Sequence, residues 1–373
     1  MVKILWIAPN LNHYKARFLS RLNQRREIDI YVFAGATNKQ LGHTEGKERD
    51  FKFTTVPVVK EKFSYNPIVY IRIGSLIRRE NFDWVLMPAE KKNIPLILYL
   101  YILKKIIGFK LITYNHPMLR FNSIPGRLEK LTPLTLFSLY DKVIFYTYQS
   151  MKLAIESNII NRAKAAYANN TLDTDHIWKF YSFRVNSSEP KRLLFIGRLV
   201  PYRELDLLLR YFRWLKTMLP GVELIVIGDG PEAPKIQKAA ADDPQITWCG
   251  AITDEALVAK EMQRAHAVFM PGHSGLSIVH AFAYGKPYIA SANYPNHPPE
   301  IDYLQDGVNG LLLNGNMESN LARIAGLLDD AKAYERMCRA AFAKAQELSI
   351  ANWCAQLKTA LIDRPIADVC LTR

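Results

Sequence analysis

The chain predicts an α/β protein built as two doubly wound, Rossmann-like domains. Three observations carry that expectation. Short apolar runs alternate with helical segments from Lys3 to Pro287, the pattern of parallel strands covered on both faces. A length of 373 residues suits two domains of ordinary size. A polar, turn-rich stretch, Asn186-Ser-Ser-Glu-Pro190, stands where the charge balance changes. No internal repeat or low-complexity tract interrupts the pattern.

The charge is unevenly placed. Residues 1–189 hold 29 Lys and Arg against 15 Asp and Glu, while residues 190–373 hold 20 of each, so the first half carries the whole net charge of +14. That asymmetry points to an anionic partner for the first half: a membrane surface, an anionic glycolipid or nucleic acid. A solvated basic face with no partner is the plain alternative. Nucleic acid is disfavoured, because there is no aromatic–basic strand of the RNP type and no zinc-finger spacing. Cys249, Cys338, Cys354 and Cys370 form no CxxC pair and read as reduced thiols of a cytosolic protein. Met1 to Pro9 enters a strand too directly for a signal peptide. The longest apolar run, Ile94 to Leu103, falls well short of the roughly 20 residues that span a bilayer.

In the first half, Lys3 to Ala8 reads as a strand ending in Pro9, and Phe18, Leu19 and Leu22 give the face of a following helix. Ile28 to Phe33 and Phe51 to Val59 are strands. Pro67 to Arg79 is a helix with Ile68, Ile71 and Leu76 inward and Arg72, Arg78 and Arg79 outward. Trp84 to Met87 is a short buried strand, and Pro95 to Ile107 an apolar helix carrying Tyr99, Tyr101, Lys104 and Lys105. That basic, aromatic segment could lie on a membrane or serve as a core helix capped by lysines. Lys110 to Tyr114 and Lys142 to Tyr146 complete the strands. Ligands of open α/β sheets bind beyond the strand carboxyl ends, so two loops are candidate sites: Asn12-His13-Tyr14-Lys15 with Arg17, and Asn115-His116-Pro117. A histidine there can orient a hydroxyl or accept a proton near neutral pH; it can also be a turn histidine bonded to backbone.

In the second half, Arg192 to Ile196 is a strand whose outgoing loop holds Gly197, Arg198 and Arg203. Leu205 to Met218 is an amphipathic helix. Val222 to Ile227 runs into Gly228-Asp229-Gly230-Pro231, Ile246 to Gly250 runs into a turn near Ile252, and Ala265 to Met270 runs into Pro271-Gly-His-Ser-Gly275. Leu276 to Tyr284 has helical spacing and is closed by Gly285 and Pro287. Two arginines in one post-strand loop can clamp a diphosphate and stabilise it as a leaving group. Glycine loops feeding helix starts let backbone N–H groups approach phosphates or a flat base.

The segments Phe195-Ile-Gly-Arg-Leu-Val-Pro-Tyr-Arg203, Ile225-Val-Ile-Gly-Asp-Gly-Pro-Glu232, Gly275-Leu-Ser-Ile-Val-His-Ala281 and Pro299-Glu-Ile-Asp-Tyr-Leu-Gln-Asp-Gly-Val-Asn-Gly-Leu311 resemble family 4 glycosyltransferases in order and spacing. Asn170-Thr-Leu-Asp173 is similar to that family's turn before the linker. The resemblance is specific over about residues 165–315 and topological over the first half. It implies a GT-B architecture, two Rossmann-like domains facing a central cleft. It further implies a retaining, metal-independent transferase with the nucleotide sugar on the second domain and the acceptor on the first. Residue by residue, it implies that Arg198 and Arg203 (Lys in most relatives) hold the diphosphate. Gly275, Leu276 and Ser277 would donate to phosphates, and Gly197, Gly228, Gly230, Pro231 and Ile252 would frame the nucleotide. His116 matches the family histidine that touches the transferred sugar.

Two departures stand out. The family pattern has two Glu eight residues apart, one near the donor sugar and one on the ribose; Gly272 and His280 occupy those positions here. Sugar recognition must then differ, through His273 or Ser274, with Glu300 in reserve, while His280 can still bond a ribose hydroxyl. Glu204 replaces a usual Gly, so the loop after Arg203 could be shaped differently.

The expectation is therefore a cytoplasmic retaining hexosyltransferase, peripheral at the inner face of the membrane. It would act from a UDP- or GDP-linked sugar on a lipid-linked or cell-surface polysaccharide acceptor, without cofactor or metal. The expected domains are residues 1–186 (acceptor), 191–350 (nucleotide sugar) and 351–373 (a helix and tail returning to the first). A nucleotide-sugar epimerase or hydrolase, or a non-catalytic binding subunit, are the alternatives on the same fold.

Overall fold

The computed structural model describes residues 1–9, 11, 13–24, 27–36, 51–116, 126–186, 189–294 and 296–362, with the side chains of residues 13, 14 and 127 outside that description. The chain divides into two compact units, changing over between Asn169 and Asn170 and returning to the first unit at Ile350.

In the first unit the elements run β1 (Val2–Ala8), α1 (His13–Asn23), β2 (Ile28–Ala36), β3 (Lys52–Val59), α2 (Pro67–Glu80), β4 (Trp84–Leu86), α3 (Ile94–Ile107), β5 (Lys110–Asn115), α4 (Arg127–Ser138), β6 (Lys142–Phe145), α5 (Tyr148–Glu156) and β7 (Ala165–Tyr167). The strands form one parallel sheet in the order β3-β2-β1-β4-β5-β6-β7. Alternation along β1 assigns its two faces. Leu5 and Ile7 join a core with α2, α3 and α4, whereas Ile4 and Trp6 join one with α1. Both faces are buried, which is why the strands read as continuous apolar runs. Local chemistry sets the helix ends. Asn66 caps α2 by accepting from the Ile68 amide, Pro67 follows at the first helical position, and Asn81 closes it in the left-handed region. Gly108 closes α3 with φ +97°.

In the second unit the elements are α6 (Thr174–Ile177), β8 (Arg192–Ile196), α7 (Leu205–Met218), β9 (Glu223–Ile227), α8 (Ala233–Asp242), β10 (Ile246–Trp248), α9 (Glu255–Arg264), β11 (Ala267–Met270), α10 (Ser277–Ala283), β12 (Tyr288–Ser291), β13 (Gly310–Leu313), α11 (Met317–Asp329) and α12 (Ala331–Glu347). The sheet is again parallel, ordered β10-β9-β8-β11-β12-β13. Strand order reverses between β8 and β11, so the loops leaving those two strands flank the switch point where ligands of such sheets bind.

The last helix, α13 (Ile350–Ile362), packs in the first unit beside α1. Trp353 is its anchor. The indole is 1% exposed, sits 5.2 Å from the Phe18 ring, and donates from Nε1 to the Tyr114 hydroxyl at 3.1 Å. Gln356 accepts from the Asn169 amide at 2.8 Å, tying the helix to the end of the first unit's chain.

Candidate functional site

Four loops leave the carboxyl edges of β10, β9, β8 and β11, which are consecutive neighbours in the second sheet. Backbone bonds stitch them together. Gly197 donates to Ile227 at 3.0 Å, Leu199 to Asp229 at 2.9 Å, Glu232 to Leu199 at 3.0 Å, and Gly228 to Gly250 at 2.8 Å. Glycine is required at two of these joints. Gly228 and Gly230 both have φ +152°, and a Cβ on either would run into the carbonyl of Gly197 or Leu199. Ile252 is half-buried and packs on the second unit's core at the same edge. The Trp248 indole donates to the Gly228 carbonyl at 2.9 Å, closing one side of this loop cluster.

The switch-point loops meet more tightly. His273 donates its amide to the Tyr202 carbonyl at 2.9 Å, and Arg203 Nη1 donates to the His273 carbonyl. Gly272 lies under this contact. A Cβ there would stand 2.5 Å from the Tyr202 oxygen and 2.6 Å from the Arg203 carbonyl carbon. Where the family pattern carries its first Glu, this backbone thus admits no side chain. Glu204 adopts φ +57°, supplying with a side chain the left-handed turn that glycine makes at less cost.

Arg203 is deeply set. Burial lowers its pKa, opposed by Tyr288 and Tyr202, yet a guanidinium remains a cation in water. Its Nε–H is buried and has no hydrogen-bond partner. A buried cationic donor left unpaired is costly, on the order of 1–3 kcal/mol or more. Such an atom marks a place for an anion. Arg198, in the same loop, is exposed and reaches the Tyr202 hydroxyl at 3.0 Å through Nη2.

His273 is the second unsatisfied group. Its ring lies 5.1 Å from Tyr202 and 6.3 Å from Tyr294, and its Nδ1 is buried without a partner. Burial, aided by the charge of Arg203, brings its pKa down to about 4, so the imidazole is neutral near pH 7. Sequence spacing singled out His273 only as a substitute for the missing Glu; its orphaned nitrogen is what structure adds.

The neighbouring residues divide by role. Ser274 is fully buried, its hydroxyl donating to Gly272 at 3.0 Å and its amide to His297 Nδ1 at 3.2 Å. It therefore holds the loop and turns away from any ligand. His297 in turn donates from Nε2 to the Ser291 carbonyl at 2.7 Å, which fixes the tautomer and anchors the turn. The amides of Gly275, Leu276 and Ser277 have no protein acceptor among the described residues, as the start of α10 leaves them. The Ser277 hydroxyl is bonded to Tyr288 Oη at 2.7 Å. Glu300 is buried beside Gly275 and bonded by Asn170 Nδ2, and burial raises its pKa.

His280 faces a carboxylate that sequence reading did not pair with it. Its Nε2 lies 2.9 Å from Glu255 Oε1, which also accepts from Tyr284 Oη at 2.5 Å. Burial would raise the Glu255 carboxyl, but the His280 and Tyr284 bonds outweigh it and leave the group below its ordinary value. Asp173 caps α6, its Oδ1 accepting from the His176 amide at 3.1 Å. Among the described residues no three His, Cys, Asp or Glu converge as a metal site.

In the first unit, His116 follows β5 at the sheet's carboxyl edge, exposed, with its ring 6.5 Å from Tyr146. Partial desolvation lowers its pKa, and Glu90 opposes that shift. Asn115 is buried and spans the edge, donating to Ala89 at 3.1 Å and to the His116 carbonyl at 3.0 Å. The same edge is cationic. Lys92 pairs with Glu90 at 2.5 Å, and burial together with Lys92 and, more weakly, Lys15 lowers the pKa of Lys60. Lys15 and Arg17 are half-buried on α1. Asn12 and the side chains of His13 and Tyr14 lie outside the described residues.

Comparison with known proteins agrees with this layout. Residues 179–344, within the second unit, match the family model "Glycosyl transferases group 1". A GDP-mannose-dependent alpha-mannosyltransferase of Corynebacterium glutamicum is 31% identical over 141 residues, a match covering 36% of this chain and only 32% of that one. Among solved structures, Anabaena HepE in complex with UDP superposes with a TM-score of 0.69 at 16% identity, covering 96% of this chain and 99% of its own. Sucrose-phosphate synthase of Thermosynechococcus elongatus does so with a TM-score of 0.71 at 13% identity, covering 96% and 98%. The fold is GT-B: two Rossmann-like, parallel-sheet units.

Proposed function

We propose that the chain is a retaining, metal-independent glycosyltransferase that moves a hexose from a nucleoside-diphosphate sugar to a lipid-linked or cell-surface polysaccharide acceptor at the cytoplasmic face of a membrane. The observation that carries this reading is Arg203: a half-buried guanidinium whose Nε–H is itself buried and unpaired, at the switch point of a sheet whose post-strand loops are spaced by obligatory glycines. A diphosphate satisfies that donor, and Arg198 from the same loop adds the second cation. Together they stabilise the charge that grows on the leaving diphosphate. Gly275, Leu276 and Ser277 add backbone donors to the phosphates.

The nucleoside lies toward Gly197, Gly228, Gly230, Pro231 and Ile252, with His280 on the ribose. Glu255 accepts from His280 Nε2, leaving Nδ1 of that ring for a ribose hydroxyl. The pair replaces one carboxylate by a carboxylate–histidine relay. On the sugar side, neutral His273 stands in for the side chain that Gly272 cannot carry. His116 matches the histidine that touches the transferred sugar in the resembled family, and the cations at its own sheet edge, Lys15, Lys60 and Lys92 with Arg17, favour an acceptor bearing phosphate. Asn12, His13 and Tyr14 belong to the same acceptor loop. The basic first unit meets an anionic membrane surface. Front-face departure of the diphosphate lets its own oxygen take the acceptor proton, so no strongly basic side chain is needed.

The likeness to a GDP-mannose-dependent enzyme and to a UDP complex supports both donor classes. The test is transfer of labelled sugar from UDP- and GDP-sugars to membrane lipid extracts. Arg198→Ala should lower turnover at least about a hundredfold while the protein stays folded. Undiminished transfer in that variant rejects the assignment.

A further inference from the structure

The outer faces of α2, α3 and α4 carry aliphatic side chains where a solvated helix carries polar ones. The three helices cover one face of the first sheet: Ile73, Leu100 and Phe137 point into a single core. Their opposite faces are therefore outward together. On α3 the stripe Ile94, Leu98, Ile102 and Ile106 repeats every four residues along the exposed side, with Ile106 75% exposed. On α2, Ile68 and Ile71 are exposed, the latter at 70%. On α4, Leu128, Leu131 and Leu134 are exposed, the first at 82%. A helix apolar on every side, as α3 is before Lys104 and Lys105 in its last turn, belongs inside a core or against lipid. The second unit shows what this chain does at a wet surface. On α7 the exposed side bears Asp206, Arg210 and Arg213 around Trp214, and on α12 it bears Lys332, Glu335 and Arg339.

Charge identifies the occupant. Exposed Arg72, Arg78 and Arg79 follow the aliphatic residues along α2, Lys105 lies between Ile102 and Ile106 on α3, and half-buried Lys130 lies between Leu128 and Leu131 on α4. The acidic residues near them are engaged: Glu80 with Lys3 and Arg79, Glu129 with the Gly126 amide, and Asp141 with Lys104. An apolar face set with a surplus of these cations, Arg79 alone of them being paired with a carboxylate among the described residues, fits a bilayer surface rich in anionic phospholipid, with aliphatic tips among the acyl chains and arginines at the phosphates. No helix among the described residues is long and apolar enough to cross a membrane, so this contact is interfacial.

We infer that the α2–α3–α4 face is a membrane-docking surface that inserts aliphatic side chains between anionic lipids, in addition to the general attraction of the basic first half. Because crossover helices run back along a parallel sheet, the N-terminal ends of all three lie at the same carboxyl edge as His116. A docked face thus brings that edge to the lipid headgroups, where a lipid-linked acceptor presents its sugar. This step deepens the reading of the first unit as the acceptor side, and it can fail on its own.

The test is co-flotation of the full chain with phosphatidylcholine vesicles with and without phosphatidylglycerol, at low and high salt. Wild type should float with the anionic vesicles and retain part of that binding at high salt, because inserted side chains are not screened. Ile102→Glu/Ile106→Glu should lose at least about tenfold in vesicle affinity at both salt levels. Arg78→Glu/Arg79→Glu should lose the preference for anionic lipid. Thermal shift by UDP or GDP should be the same in all variants, which separates this face from the donor site. Unchanged flotation of Ile102→Glu/Ile106→Glu overturns the inference. So does a wild-type dimer that this pair splits without vesicle binding in either form, which makes the face a contact between copies.

Discussion

Gly272 and His273 are adjacent and answer opposite demands. Gly272 is pressed against the Tyr202 and Arg203 backbone, while His273 keeps a buried nitrogen without a partner. The sequence exposed Gly272 as a gap in a two-glutamate pattern, but spacing carries no information on the carbonyl beneath it. Nor could it pair His280 with Glu255, which lies 25 residues earlier on another helix. His273 makes a pH prediction. Its pKa is 6.5 when unfolded and about 4 when folded, so above pH 6.5 both states are neutral and it contributes no pH dependence. As pH falls from 6.5 toward 4, the unfolded chain takes up a proton that the native site refuses, and stability drops. Denaturant melts between those values should show this slope in wild type and a flatter one in His273→Gln; equal slopes contradict the assignment.

At the scale of elements, the site is a set of loops whose strands the sequence located well. The runs Arg192–Ile196 and Ala267–Met270 are fully apolar or nearly so, and their outgoing glycines mark the turns. Elements without an apolar run were not legible. β7 has three half-buried residues, and α8 is Ala-rich with only Ala233 and Ile236 buried. The sequence pattern puts Ile68 and Ile71 of α2 inward, whereas both are exposed, since period alone cannot tell a core-facing stripe from an outward-facing apolar one. Loop contact makes a second prediction. Introducing the carboxylate of the resembled pattern by Gly272→Glu should not confer sugar recognition. It should force the Arg203 loop away, destabilise by about 1–3 kcal/mol, and weaken nucleotide binding. Thermal melts with nucleotide titration check it; a stable variant that binds a donor sugar more tightly contradicts it.

For the whole molecule, alternating strands and helices made two parallel sheets legible, and the observed fold has them. The polar stretch at residues 186–190 is marked by composition, whereas the chain changes unit at Asn170, in an irregular segment that no change of charge or composition marks. Local pattern reports solvent exposure; the change of unit is set by which core each side chain enters. The return of α13 to the first unit rests on Trp353. Trp353→Ala should cost about 3–5 kcal/mol in urea unfolding; a loss below about 1 kcal/mol shows that the helix is not anchored there. The central claim is the proposed donor site at the second sheet's switch point, and calorimetric titration with UDP and GDP tests it most directly. One-site binding of at least one nucleotide to wild type, weakened about thirtyfold or more in folded Arg203→Ala, is the predicted result. Absence of binding by both nucleotides, or equal affinity in Arg203→Ala, would contradict it.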